Sequence, residues 1–230
     1  MADPQLKLLE LPTTELLDKF GAGSHKPGSG SAAALMGILA GKLMCTVCRL
    51  SADKPKYKKH KAEFEYIVKS IEDDIEGQLR HIFQHDAEVF DKVIKLRVAK
   101  RDAKSDSEKR KYSKLHLEEM REATEIPFQI AELCFKLIDH GIFLFDLGFQ
   151  SARGDSGAAV SSAIAGVSSA VFVIGLNLES FKRSSDWKSK KEAQCEELLL
   201  RLQDKQLEAF SRITTLTEQE LEEMEFDLDN

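Results

Sequence analysis

Apolar residues recur at helical spacing along almost the whole chain, and the strict alternation that marks a strand is nearly absent. The clearest case lies between Pro55 and Leu96. Phe64, Ile67, Val68, Ile71, Ile75, Leu79, Ile82, Phe83, Val89, Phe90 and Val93 follow one another so as to form one apolar face, which predicts a single amphipathic helix over 56–98. A short helix is predicted over 13–20, and another from Ser31, a favourable N-cap, to Ala52. Residues 99–112, AKRDAKSDSEKRKY, carry charge without apolar periodicity and read as a solvated turn. Further helices are expected over 113–149, where Pro127 kinks or bounds the helix, over 155–181 and over 187–214. The fold class is therefore all-α, an antiparallel helical bundle. One domain is expected over 1–215, followed by an acidic tail over 216–230.

One predicted helix differs from the others. From Gly157 to Leu178 it holds no charge, and VSSA occurs at 160–163 and again at 167–170, which sets Ser161 and Ser168 on one stripe with Ala163 and Ala170 on another. Small residues on a stripe let helix backbones approach closely, so this element reads as a central helix packed on all sides, or against its copy in a homodimer. The segment is long enough to span a bilayer, but Ser, Gly and Ala stand where a spanning helix carries Leu, Ile and Phe. The expectation is a buried helix and no membrane.

Charge and cysteine content narrow the setting. The chain of 230 residues has a net charge of −6, which does not suit nucleic acid as a partner. The N-terminus, MADPQLKLLELP, has no apolar core of a secretory signal, and Cys45, Cys48, Cys134 and Cys195 lack the spacing of a disulfide framework. A cytoplasmic protein with reduced thiols is expected.

The chemistry begins at HKPGSGSAAAL, residues 25–35. Gly28, Gly30 and Ala33 match the dinucleotide fingerprint in letters, but no strand precedes them and no βαβ unit surrounds them. Met36 and Leu43 stand where a P-loop needs Gly and Ser or Thr. What survives is more general: glycines before a helix let the backbone approach a ligand, and free N–H groups there favour an anion or a polar ring edge. The alternative is a turn that only caps a buried helix. Cys45 and Cys48 form a lone C-x-x-C and read as core thiols. His81 and His85 lie one turn apart without HExxH, and no metal site is expected. Asp86 interrupts an apolar helix face, and Asp155 opens the uncharged helix, where it suits either a cap or a pocket floor. By pattern, Asp91 is a surface acid.

Taken in order, five segments resemble the formiminotetrahydrofolate cyclodeaminase and methenyltetrahydrofolate cyclohydrolase family. They are FGAGSHKPGSGSAAALMGILAGKL; LSADKPKY, with Leu50, Lys54 and Tyr57; DAEVF, with Asp86 and Phe90; GDSGAA, with Asp155, Gly157 and Ala159; and VIGLNL, with Asn177 and Leu178. The resemblance covers about residues 12–215. Ser29, Gly154 and Val173 depart from it, where the family pattern has Gly, Ser and Asn.

The resemblance implies an all-helical, dimeric, folate-binding protein with no metal and no cofactor beyond a tetrahydrofolate derivative as substrate. It implies cyclisation of 5-formiminotetrahydrofolate to 5,10-methenyltetrahydrofolate with loss of ammonia, or interconversion of the methenyl and 10-formyl forms. A homologue that binds folate without catalysis is the alternative. Asp86 and Asp155 are the expected catalytic carboxylates. Pro27, Gly28, Ser29, Gly30 and Ser31 would border the pterin or the one-carbon unit, Lys54, Tyr57 and Arg153 would meet the glutamate tail, and Asn177 belongs to the same substrate-binding set.

Overall fold

The computed structural model describes residues 7–214, and the expected acidic tail lies outside them. All regular structure among these residues is helical: α1 (Thr13–Gly21), α2 (Ser29–Ala52), α3 (Lys61–Ser70), α4 (Glu76–Asp102), α5 (Asp106–Leu147), α6 (Arg153–Glu179) and α7 (Asp186–Thr214). Short 3-10 turns occupy Leu8–Glu10, Pro55–His60 and Gln150–Ala152. The helix expected over 56–98 is resolved into four parts. A 3-10 turn built on Pro55 leads into α3, and a π turn over Ile71–Ile75 joins α3 to α4. That extra residue per turn keeps Ile71 and Ile75 both buried.

The charged stretch 99–112 is not a long turn. Helix α4 runs to Asp102, and α5 starts at Asp106 after Ser105 caps it. Ser105 Oγ accepts the Glu108 N–H at 3.2 Å, while Glu108 Oε2 accepts the Ser105 N–H at 3.1 Å. This reciprocal capping box lets a polar helix end project into water without an apolar face to hold it. Pro127 lies buried inside α5, which continues through it.

The core is built around α5 and α6, with α2 packed on both, α4 packed on α5 and α2, and α7 laid along α6. The inner face of α6 buries Ala159, Ala163, Gly166, Val167, Ala170 and Ile174. Close approach is literal here: a methyl on Gly166 would lie 3.2 Å from the Ala33 carbonyl and 2.8 Å from Cys134 Sγ. Within one chain α6 is not enclosed on all sides, however. Phe172 and Leu176 are 71% and 70% exposed. Both α2 and α6 are long and apolar enough to cross a membrane by composition; in the fold they supply the bundle core.

Helices α2 and α6 run antiparallel. The Phe149 N–H, just before α6, donates to Ser51 Oγ at the end of α2 (2.8 Å), and the Gln150 N–H donates to Tyr57 Oη (3.1 Å). Further along, Gly166 meets Ala33 near the start of α2. The two helices thus define two ends of the molecule, and the candidate residues are divided between them.

Candidate active site

At one end, α4 carries Asp86 inward at the level where α2 begins. The helix opens at Ser29 with Gly28 before it, so Ser31 lies within the first turn and is not the cap expected from its sequence position. First-turn N–H groups have no partner inside their own helix. Asp86 supplies one: its Oδ2 accepts the Ser31 N–H at 2.8 Å and lies 2.9 Å from Ser31 Oγ. Ser31 Oγ is also 3.1 Å from the Phe83 carbonyl oxygen. One hydroxyl hydrogen cannot serve both acceptors at once. When Asp86 is ionised, Ser31 donates to it. When Asp86 is protonated it donates to Ser31 Oγ, and the hydroxyl turns to Phe83. Either state of the carboxyl finds a bonded arrangement.

Burial decides which state is favoured. Asp86 is 8% exposed, and its loss of water pushes the carboxyl above the ordinary range. The two bonds from Ser31 and the charge of His85 pull it down without cancelling that rise. The positive end of α2 favours the anion in addition. The result is a carboxyl able to take and return a proton. Its seat requires Gly30, where a methyl would fall 2.6 Å from the Asp86 carboxyl carbon. The second glycine of PGSG is therefore small to admit a carboxylate, and its φ is not positive.

The turn before α2 is fastened from outside. Ser24 Oγ accepts the Lys26 N–H at 3.2 Å and donates to the Lys26 carbonyl at 3.0 Å. The Lys26–Pro27 peptide is cis, and Pro27 is buried. Asp91 holds His25 Nε2 at 2.8 Å, Lys26 Nζ at 3.4 Å and Lys95 Nζ at 2.7 Å. Burial alone would push Asp91 up, but its bonds to Lys95 and His25 and the Lys26 charge outweigh this and hold it at about 2. Asp91 is thus a hub and not a free surface acid. The helical pattern could not show this, because two of its partners belong to a turn more than 60 residues away in sequence.

Asn177 reaches this end from α6. It is buried, and its Nδ2 donates to the Ala123 carbonyl at 2.9 Å, tying α6 to α5. His85 was visible in the sequence as half of a possible metal pair. Its Nε2 instead lies 3.0 Å from Glu122, and its ring stacks on His81. The signal for its electrostatic role was its adjacency to Asp86. Among the described residues, no group of three His, Cys, Asp or Glu side chains is placed to hold a metal ion. Cys45, Cys48 and Cys134 are buried free thiols, and burial pushes Cys48 and Cys134 up to about 12.

The remaining candidates sit at the far end of α2. Lys54 Nζ lies 4.3 Å from the centre of the Phe149 ring. Tyr57 is buried against that ring and accepts from Gln150. Arg153 is buried, its Nε donating to the Phe145 carbonyl at 3.2 Å, and Asp155 is exposed in the first turn of α6. Asp155 precedes Gly166 by eleven residues, about 16 Å of helix rise, and Gly166 packs beside the Asp86 end. One chain therefore holds Asp86 and Asp155 roughly 20 Å apart, too far to act on one bond. Two open clefts of about 360 and 380 Å³ lie elsewhere, one beside Cys48 and Phe64, the other beside Phe128 and Leu198.

This all-helical chain has counterparts among known proteins. Residues 12–197 match the family model described as formiminotransferase-cyclodeaminase, and the chain belongs to that family of folate one-carbon proteins. It is 29% identical over 161 residues to the methenyltetrahydrofolate cyclohydrolase of Methylorubrum extorquens, covering 70% of this chain and 76% of that protein. Its fold matches the crystal structure of the formiminotetrahydrofolate cyclodeaminase from Thermotoga maritima, with a TM-score of 0.74 and 19% identity over 88% of this chain and 95% of that one.

Proposed function

We propose that the protein is a folate one-carbon enzyme that closes 5-formiminotetrahydrofolate to 5,10-methenyltetrahydrofolate with release of ammonia, using Asp86 for proton transfer. The carrying observation is the buried Asp86 carboxyl, raised by burial and bonded in both protonation states by Ser31. In this reaction N10 attacks the carbon of the protonated formimino group, whose C=N electron pair moves onto the outer nitrogen to leave it as an amine, and N10 loses its proton. The bond from that carbon to the outer nitrogen then breaks, and the nitrogen gains a proton and leaves as ammonia. A carboxyl of raised pKa can take the first proton and give the second. Once ionised again, it stabilises the delocalised methenyl cation. Gly28, Ser29 and Pro27 would border the pterin. No cofactor beyond the folate substrate enters this reading.

A cyclohydrolase is the second reading, favoured by the relative from M. extorquens. There, water adds to the methenyl carbon as Asp86 takes one of its protons, and the N5–carbon bond then breaks as the remaining hydroxyl proton passes to N5, leaving the 10-formyl form. The same proposal takes the protein as a cytoplasmic homodimer, and the exposed Phe172 and Leu176 on an uncharged helix support pairing. The test is purified protein with each substrate, followed at the methenyl absorbance. Formation of methenyl product from the formimino substrate supports the first reading, and its consumption alone supports the second. Asp86→Asn should lower turnover by about 10²–10⁴-fold. A folded protein that turns over neither substrate leaves the non-catalytic folate-binding reading, which direct binding would check.

A further inference from the structure

The hairpin formed by the end of α4 and the start of α5 gathers the chain's positive charge. From Lys95 to Lys114 it carries nine Lys and Arg against three Asp and Glu, an excess of six in a chain of net charge −6. Some of these bases are engaged nearby: Lys95 with Asp91 at 2.7 Å, Arg101 with Asp102 at 2.8 Å, and Lys109 and Lys114 more loosely with Asp106 and Glu118, at 3.9 Å each. Arg97, Lys100, Lys104, Arg110 and Lys111 are exposed, and none of them pairs with an acid among the described residues. Arg97 and Lys100 also lie close enough to His116 of α5 that their charges, added to its burial, push the imidazole below its ordinary range. Bases from both helices thus act on one another across the hairpin, and such a concentration favours an anionic partner.

The matching charge lies in the same sequence. Residues 216–230, LTEQELEEMEFDLDN, hold seven acids and no base, with Leu221, Met224, Phe226 and Leu228 set among them. The hairpin has a similar mixture of opposite sign, because Val98, Leu115 and Leu117 stand exposed among its bases.

Reach decides whose segment fits. Helix α7 ends at Thr214, and Arg212 is bound to Asp146 near the end of α5 at 2.9 Å. Lys114 precedes Asp146 by 32 residues of the same helix, about 48 Å of rise. Glu223, the central acid of the segment, lies nine residues beyond Thr214 and reaches about 32 Å even with the chain fully extended. Within one chain, therefore, the seven acids cannot lie along the hairpin. A second copy has no such tether.

We infer that the basic hairpin over Lys95–Lys114 is a docking surface for the acidic segment 216–230 of a second copy of this chain. Each exposed pair contributes little alone, so the contact depends on the number of charges and on the apolar residues between them, and salt weakens it. The inference stands on charge and reach and makes no use of the folate chemistry.

The test uses the full chain. Copies grown in light and heavy nitrogen are mixed, allowed to exchange, and treated with a carbodiimide, which joins a lysine directly to a carboxylate it touches. Mass spectrometry should find acids of 216–230 joined to Lys100, Lys104, Lys109, Lys111 or Lys114, with about half of the joined peptides carrying one light and one heavy partner. Between 0.1 M and 1 M salt the screening length falls from about 10 to about 3 Å, and the joined fraction should fall several-fold. Joined peptides of one label only, or tail acids joined no more often to the hairpin than to other surface lysines, overturn the inference. So does binding of RNA or of anionic vesicles by the hairpin with no tail linkage, which would give the surface to another partner. A charge swap supplies the second measurement. Arg97→Glu, Lys100→Glu, Arg110→Glu and Lys111→Glu together should abolish the linkage while leaving circular dichroism unchanged, since all four side chains are exposed. Adding Glu220→Lys, Glu222→Lys, Glu223→Lys and Glu225→Lys should restore it with the roles of acid and base reversed. No restoration in a folded protein also overturns the inference.

Discussion

Gly30→Ala is the smallest change that tests the role of Asp86. The position is helical and needs no unusual backbone, so alanine costs nothing in conformation and improves helix propensity slightly. The difficulty is space. The new methyl would lie 2.6 Å from the Asp86 carboxyl carbon, where an ordinary contact starts near 3.4 Å. The carboxylate must withdraw by about 1 Å, more than its 2.8 and 2.9 Å bonds to Ser31 can stretch and survive. Loss of one charge-assisted bond costs about 1.5–3 kcal/mol, while a 1 Å misplacement of a catalytic group costs about 10² in rate. Gly30→Ala should therefore keep its helical circular dichroism, melt a few degrees lower, and fall about 10²-fold in turnover at the methenyl absorbance. A variant with parental turnover would refute the claim that the Gly30–Asp86 contact fixes the reacting group. Normal turnover combined with weak folate binding would return Gly30 to a role in bordering the ligand.

Ser31→Ala removes a bond that lowers the Asp86 pKa, so the carboxyl should rise further, and the acid limb of the pH–rate profile should move to higher pH; an unmoved limb would mean that Asp86 is not the group titrating there. Asp91→Asn releases His25, Lys26 and Lys95. Because Asp91 is depressed in the folded state to about 2, its stabilisation is present above the unfolded carboxylate pKa and is lost as pH falls from about 4 to 2. After solvent screening this is on the order of 1 kcal/mol, so the variant should melt slightly lower at neutral pH and converge with the parent near pH 2. Ser105→Ala breaks the capping box at the start of α5 and should cost about 1 kcal/mol, seen as a drop of roughly 2–4 °C in Tm with turnover unchanged.

Periodicity revealed the helices because burying one face of a helix leaves a repeat in the chain itself. It failed where local polar chemistry replaced apolar burial. Ser105 and Glu108 extend helix into a stretch with no apolar face, and the π turn at Ile71–Ile75 preserves a periodicity that looked like one continuous α-helix. The site was partly legible for a similar reason. Asp86 stood out as an acid on an apolar face, and the glycines of KPGSGS announced a close approach, although the sequence pointed to a ligand and the structure shows the Asp86 carboxylate. Asp91 was misjudged because its neighbours come from another segment.

By itself, the sequence determined the all-helical class, the mismatch to a dinucleotide loop, the family resemblance and the choice of Asp86 as a candidate. Each rests on spacing within a segment or on residue type, which need no knowledge of what the segment packs against. Tertiary structure alone decided that Gly30 seats the Asp86 carboxylate, that burial outweighs the Ser31 bonds in raising its pKa, and that α6 turns one apolar face outward. It also decided that Asp86 and Asp155 lie at opposite ends of one chain. Desolvation and contact depend on segments that meet only when α2, α4 and α6 pack together, and the antiparallel course of α2 and α6 is what carries the two acids apart.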